Sequence, residues 1–394
     1  MKTIAIVTPK IDTFCNPTLI LLFEKLLAEG FKILFFGFEQ IFIPKEIKDK
    51  LNFCVFPFNF YKSGMRPKNI AKILKQYYEV YKILKIENKV RTIICVDPMG
   101  LVIAGRIKKL VDINIIYASF EIFFEEEFHI QRKKILKKLE RKYSRKVGLV
   151  MIQDGSREKL LRQVNDFNDN TKFMHIPVSP KQMDISSTGL DLYREMNIPR
   201  DKKIVVYSGT LQGWSGIHEL LDLFKGRWNK DFWLVVHSHH ILEDKEELRI
   251  KIDNLINSNC NISFHNEPFY DYKDYIEFLS KCQIGIATYF PNKSDVFAGK
   301  NIEEIGLSSG KFSTYMMLGI PTITTSNSIY KELNNKYHFG EIIDTMNELP
   351  EALIRIGNDF DEKVRACKTL FKNELEPESR INNLINYIEK SNVN

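Results

Sequence analysis

The sequence predicts an α/β protein made of two Rossmann-like α/β/α domains that face each other across a cleft. Three observations carry this. Short apolar, β-rich runs alternate with helix-patterned segments along the whole chain, the pattern of parallel sheets with crossover helices. The length, 394 residues, suits two domains of ordinary size. An apolar share of 44% is enough for a buried core in each.

Taken in order, residues 4–7 read as a first buried strand. Asn16-Pro17 reads as an N-cap with proline at the first helical position, opening a helix to about residue 29. Strands follow at 31–36 and 53–56, a helix at 70–84, and a strand at 92–96 that ends at Asp97-Pro98. Next come a helix at 101–111, a strand at 113–118 ending near Glu121, a basic helix at about 128–146, and strands at 149–153 and 171–176. Residues 1–178 form the first domain. Residues 179–200, with Pro180, Ser186-Ser187 and Pro199, read as a linker. The second domain spans 201–376. Its strands are expected at 203–207, 232–237, 262–265, 284–287, 321–324 and 341–343, and its helices near 217–224, 245–257, 273–281 and 313–318. A last helix covers 377–390.

Several function classes are disfavoured. No apolar run is long enough to span a membrane, and the first residues read as a strand rather than a signal peptide. The six cysteines are scattered without metal or redox spacing, which points to a reducing, cytoplasmic setting. Charge is uneven. Residues 1–180 carry 32 basic and 19 acidic groups, a net of +13, and the remainder 25 and 31, a net of −6. A basic first half suits an anionic partner. The helix at 131–146 combines an apolar stripe (Ile135, Leu136, Leu139, Tyr143, Val147) with Arg132, Lys133, Lys134, Lys137, Lys138, Arg141, Lys142, Arg145 and Lys146. Lys62, Arg66, Lys68, Lys72 and Lys75 add a second basic patch. The bland reading is a solvated face. The sharper one is an anionic membrane surface, with the protein peripheral on its inner face. No groove-reading or base-stacking module supports nucleic acid.

In open parallel sheets, ligands sit beyond the carboxyl ends of the strands. Ser308-Ser309-Gly310-Lys311 occupies such a position, ahead of a helix. Free backbone N–H groups, two hydroxyls, a bare glycine and a lysine make a seat for a phosphate or diphosphate. It is not an ATPase P-loop, because Gly306 stands one residue too close and Phe312 replaces the required hydroxyl. Asp97 and Glu121 follow strands of the first domain and could take a proton from a hydroxyl. Their bland readings are an N-cap and a surface charge. His237, His239 and His240 cluster after a strand, but adjacent residues on a strand point apart and no third ligand is spaced for it, so no metal is expected.

Lys311, Tyr315, Met316, Gly319 and Pro321 resemble the donor-site segment of GT-B glycosyltransferases. Tyr207-Ser208-Gly209-Thr210-Leu211, followed by Trp214-Ser215-Gly216-Ile217, resembles the strand, loop and helix that open that fold's second domain. The resemblance is to the retaining enzymes of family four. It implies a sugar moved from a nucleotide diphosphate donor, UDP- or GDP-linked, to a hydroxyl of a glycan or lipid-linked glycan, without metal or other cofactor. It implies a donor site of Gly209, Thr210, Gly216, His237, Ser308, Ser309, Gly310 and Lys311, with Thr314 near the ribose and Glu304 near the sugar. On the acceptor side it implies Asn16, Asp97 and Glu121, with Glu121, Lys311 and Glu304 catalytic. In such proteins the last helix commonly crosses back onto the first domain. Two departures are visible. The family's paired glutamates, with seven residues between them, fall on Gly306 and Thr314. Its Arg and Lys in the glycine loop are Thr210 and Ser215. Two further readings therefore stay open: a degenerate GT-B partner that binds glycan, and a nucleotide-sugar epimerase.

Overall fold

The computed structural model describes residues 2–40, 43–55, 67–87, 90–128, 131–183, 189–293 and 297–393. The chain divides into two compact units. Unit 1 comprises Met1–Lys181, Asp295–Phe297 and Pro377–Asn394, and unit 2 comprises Gln182–Ser294 and Ala298–Glu376.

Unit 1 is built on a seven-stranded sheet: β1 (Lys2–Thr8), β2 (Phe31–Gly37), β3 (Leu51–Val55), β4 (Thr92–Val96), β5 (Asn114–Ala118), β6 (Val147–Ile152) and β7 (Lys172–His175), in the order β3-β2-β1-β4-β5-β6-β7. All neighbours pair in parallel. Such strands are covered on both faces, so they are apolar on both. Ile4 and Ile6 of β1 enter one core while Ala5 and Val7 enter the other. The main helices here are α1 (Pro17–Ala28), α2 (Pro67–Ile86), α3 (Asp97–Ile107), α4 (Gln131–Ser144) and α5 (Gly155–Val164). The helix expected at 101–111 starts at Asp97, directly after the strand, and α5 was not foreseen.

Unit 2 carries a six-stranded parallel sheet: β8 (Lys203–Gly209), β9 (Phe232–Ser238), β10 (Ile262–His265), β11 (Ile284–Ala287), β12 (Thr322–Thr325) and β13 (Gly340–Ile343), in the order β10-β9-β8-β11-β12-β13. Its helices are α6 (Ile217–Asp222), α7 (Glu247–Asn257), α8 (Tyr272–Ser280), α9 (Gly310–Leu318), α10 (Ser328–Tyr337), α11 (Leu349–Asn358) and α12 (Phe360–Leu370). The last three were not foreseen. Helix α9 ends at Gly319, whose left-handed φ of 71° suits a residue without Cβ. The final helix, α13 (Glu378–Val393), packs in unit 1 against α1, β4 and β7, burying Ile381, Leu384, Ile385 and Ile388. Glu378 and Glu389 pair there with Lys25 and Lys2.

The basic helix differs from its sequence reading. Lys137 is not solvated: it is 3% exposed and its ammonium lies 2.9 Å from the fully buried Glu140. Asn165 and the Tyr117 hydroxyl complete the group. A buried charge is tolerated only when paired and hydrogen-bonded, as here. Burial still moves both away from their charged forms, lowering Lys137 and raising Glu140. Arg141 and Arg145 both bind Asp166, so less free positive charge remains on α4 than the composition suggests. Lys62 and Arg66 lie outside the described residues, as do Ser186-Ser187 and the side chains of Lys68, Lys72, Arg132 and Lys133.

Candidate functional site

In each sheet the strand order reverses once, between β1 and β4 in unit 1 and between β8 and β11 in unit 2. At such a point neighbouring connections leave in opposite directions and open a crevice beyond the strand ends. Polar clusters stand at both places.

In unit 1, Lys10 follows β1, Asp97 follows β4 and Glu121 follows β5. Asp97 is 1% exposed and holds a φ of 58°, rare for a residue with Cβ. Its Oδ1 accepts the backbone N–H groups of Phe120 and Glu121, each at 2.8 Å. Its Oδ2 lies 2.5 Å from Lys10 Nζ. Asp97 therefore holds the turn after β5, its carboxylate engaged by two backbone amides and by Lys10. Arg157, fully buried on α5, ties the same turn by donating to Phe120 O at 2.7 Å and to Gln153 Oε1 at 2.8 Å.

Glu121 is more exposed than Asp97 in this cluster. Its side chain is a third exposed, and its Oε1 stands 3.9 Å from Lys10 Nζ. Its pKa is raised to about 7, because desolvation, with help from Asp97, outweighs the pull of Lys10 and Arg157. Lys10 is itself opposed by desolvation, but Asp97, Glu121 and Asp12 outweigh that and hold its pKa above the ordinary value. Asn16 caps α1, its side-chain oxygen accepting from Thr18 and Leu19 N–H groups. Its side-chain oxygen is thus committed to the helix.

In unit 2, Gly209 ends β8 with a φ of 136°, open only to glycine at low cost. Gly216 ends the loop with a φ of 75°, and a Cβ there would stand 2.5 Å from the Phe290 ring. Thr210 is half-buried between them. His237 is fully buried at the end of β9, its Nδ1 2.7 Å from Ser208 Oγ, which also meets the Tyr275 hydroxyl at 3.0 Å. Burial, then His239 and His265, lower His237 to about 2. Burial, then Lys311, lower His239 to about 4. Both imidazoles are neutral at physiological pH.

Ser308 lies in a turn and Ser309 caps α9, its Oγ accepting from Phe312 N–H at 3.1 Å and meeting the Tyr289 hydroxyl. Gly310 is the first residue of the helix. Lys311 Nζ is buried without a hydrogen-bond partner, 4.1 Å from the Tyr207 ring centre and 5.4 Å from that of Tyr289. Trp214 stacks on the other ring, Tyr289, at 6.1 Å and 10°. Thr314 is 2% exposed and its hydroxyl donates to Gly310 O at 2.8 Å, with Tyr272 OH at 3.3 Å. Its hydroxyl is thus engaged within α9 and with Tyr272. Glu304 follows a single helical turn and its Oε2 accepts from Ser328 Oγ at 2.9 Å.

Among the described residues no group of three His, Cys, Asp or Glu side chains is placed to hold a metal ion, and no helix is long and apolar enough to cross a membrane.

No family profile and no curated protein matches the sequence. Solved structures do. Sucrose-phosphate synthase from Thermosynechococcus elongatus is 14% identical, with 99% of each chain covered and a TM-score of 0.73. Anabaena HepE, solved in complex with UDP-glucose, is 13% identical over 98% of this chain and 99% of that one, at 0.73. A glycosyltransferase from Rickettsia africae is 12% identical over 99% and 98%, at 0.69. The chain has the GT-B fold.

Within this GT-B chain, the structure gathers Gly209, His237, Ser309, Gly310 and Lys311 around the ends of β8 and β9 and the start of α9. Glu121 stands in unit 1 with Lys10 and Asp97. Sequence reasoning gave no role to Lys10, Arg157, Tyr207 or Tyr289, although Tyr207 opens the glycine-loop motif and Lys10 and Tyr289 stand in loops that follow strands. The available signal was their position: Lys10 and Tyr289 each follow a strand that borders the reversal in its sheet.

Proposed function

We infer that the protein is a glycosyltransferase, moving a sugar from a nucleoside diphosphate donor to a hydroxyl of a glycan or lipid-linked glycan. The observation that carries this is Lys311: a buried ammonium site with no anionic partner among the described residues, resting against Gly209 beside the N-terminus of α9. That combination suits a phosphate group. HepE, of the same fold, was solved with UDP-glucose, which supports the same class of donor here.

In the reaction the bond between the sugar's anomeric carbon and the diphosphate oxygen breaks, and a bond to the acceptor oxygen forms. Lys311 and the α9 N-terminus stabilise charge on the departing diphosphate. Glu304 serves the donor sugar. Glu121 takes the acceptor's proton, a task for which a carboxyl near 7 is suited. Retention of configuration and independence of metal rest on the resemblance to family four. The basic residues of α4 that remain exposed, among them Lys138 and Lys142, support a peripheral place on an anionic membrane.

The test is calorimetric titration with UDP, GDP and their sugar conjugates, with Lys311→Ala alongside. Selective binding lost in the variant is expected. Product analysis with and without acceptor then separates transfer from epimerisation. Absence of nucleotide binding, with glycan binding retained, would instead mark a degenerate partner.

A further inference from the structure

We propose that the nucleoside diphosphate enters unit 2 together with one proton, which Lys311 takes from solvent as its phosphate partner arrives. This rests on the nucleotide reading above and adds how its charge is received.

The geometry is that of a cation site built without a counter-charge. Lys311 Nζ is buried and makes no hydrogen bond. The side chain ends over Gly209, where an added Cβ would stand 3.5 Å from Lys311 Cε, 3.7 Å from Nζ and 4.0 Å from His239 Cδ2. The titratable groups facing it are therefore Tyr207 from β8, Tyr289 beyond β11 and His239 beyond β9. Burial raises both tyrosines, so they are neutral, and lowers His239, which is neutral too. Among the described residues no carboxylate lies within ion-pair distance of Lys311.

An ammonium taken out of water without an anion either sheds its proton or waits for one. The faces of Tyr207 and Tyr289 offset part of the lost hydration by attracting the cation. Desolvation outweighs them and brings Lys311 down to about 7. The empty pocket is thus close to neutral. A phosphate placed on the N–H groups of α9 supplies the missing charge, and the ammonium reforms with a proton from solvent. The Arg and Lys that the resembled family carries in the preceding loop are Thr210 and Ser215 here, so Lys311 carries more of the diphosphate's charge.

The experiment is calorimetry of UDP and GDP with the full chain at about pH 8.5, where the phosphates are fully ionised, since their last pKa is near 6. Two buffers of different ionisation enthalpy report proton uptake. The expected result is uptake approaching one proton per nucleotide. Affinity should fall by up to about tenfold per pH unit as pH rises above about 8. Lys311→Met should bind more weakly and take up none, while His239→Gln keeps the uptake. Wild-type binding without uptake would overturn the proposal and leave the nucleotide reading standing. So would uptake that survives Lys311→Met and vanishes in His239→Gln. Failure of both nucleotides to bind the wild type would overturn the nucleotide reading itself, and the proposal with it.

Discussion

Glu121 shows how little a residue type says without its neighbours. In the sequence it is one of four glutamates within seven residues. In the fold its backbone N–H is held by Asp97 and its carboxylate faces Lys10. Its pKa, raised to about 7 from 4.5, means that the folded state favours the protonated form. That residue therefore adds to stability as pH falls from about 7 toward 4.5, and its carboxylate is available only above about 7. The expected profile is kcat/KM rising through pH 7, with that limb absent in Glu121→Gln. Lys10 attracts the charged form, so Lys10→Met should move the limb to higher pH. A limb unmoved by either change would remove Glu121 from the reaction. Glu304→Gln is expected to lower kcat at least tenfold, about 1.4 kcal/mol in the barrier, while nucleotide affinity stays within about twofold. Equal loss in both would make it a binding or structural residue.

Helix α4 and the β8 loop carry the predictions at the scale of elements. Removing one partner of a buried ion pair leaves the other uncompensated, at a cost of about 3–5 kcal/mol. Lys137→Met should therefore destabilise strongly. Lys137→Met with Glu140→Leu should recover much of the loss, because no buried charge is then left. Denaturant unfolding of the single and double variants reads both, and a double variant no better than the single would refute the pairing argument. In the β8 loop, Gly216→Ala combines a left-handed φ with a Cβ placed 2.5 Å from Phe290. The backbone term alone is about 1–2 kcal/mol, and the clash adds to it. Stability within 0.5 kcal/mol of wild type, about the scatter of neutral surface changes, would show that the loop simply moves aside.

The whole molecule consists of two units, the first completed by the end of the chain. Helix α13 buries four aliphatic side chains there, and each is worth about 1.5–3 kcal/mol when fully buried. Truncation before residue 377 should lower the unfolding temperature of unit 1 and spare unit 2. Calorimetry following tryptophan fluorescence fits this test, because Trp214, Trp228 and Trp233 all lie in unit 2. A truncated chain whose two units melt as before would mean that α13 contributes little to unit 1.

Much of this was legible without coordinates. Continuous apolar runs separated by helical periods specify parallel sheets, because strands covered on both faces have no polar side to show. Ser309 before Gly310 and Gly319 before Pro321 mark the two ends of α9, because a helix must satisfy its terminal N–H and C=O groups locally. Pro17 after Asn16 marks the start of α1 for the same reason. What only the tertiary structure decided is which charges are buried and with whom. Lys137 and Lys311 are both lysines on helices. One found Glu140 a turn away, and the other faces Tyr207, which lies 104 positions earlier. Asp97 reads as a strand end or an N-cap in the sequence, yet its carboxylate is spent on amides of Phe120 and Glu121. Local rules act over a few residues, whereas desolvation and ion pairing depend on what the sheet order brings together. That is why the strands and most of the helices could be read from the chain, and the chemistry of Glu121 and Lys311 could not.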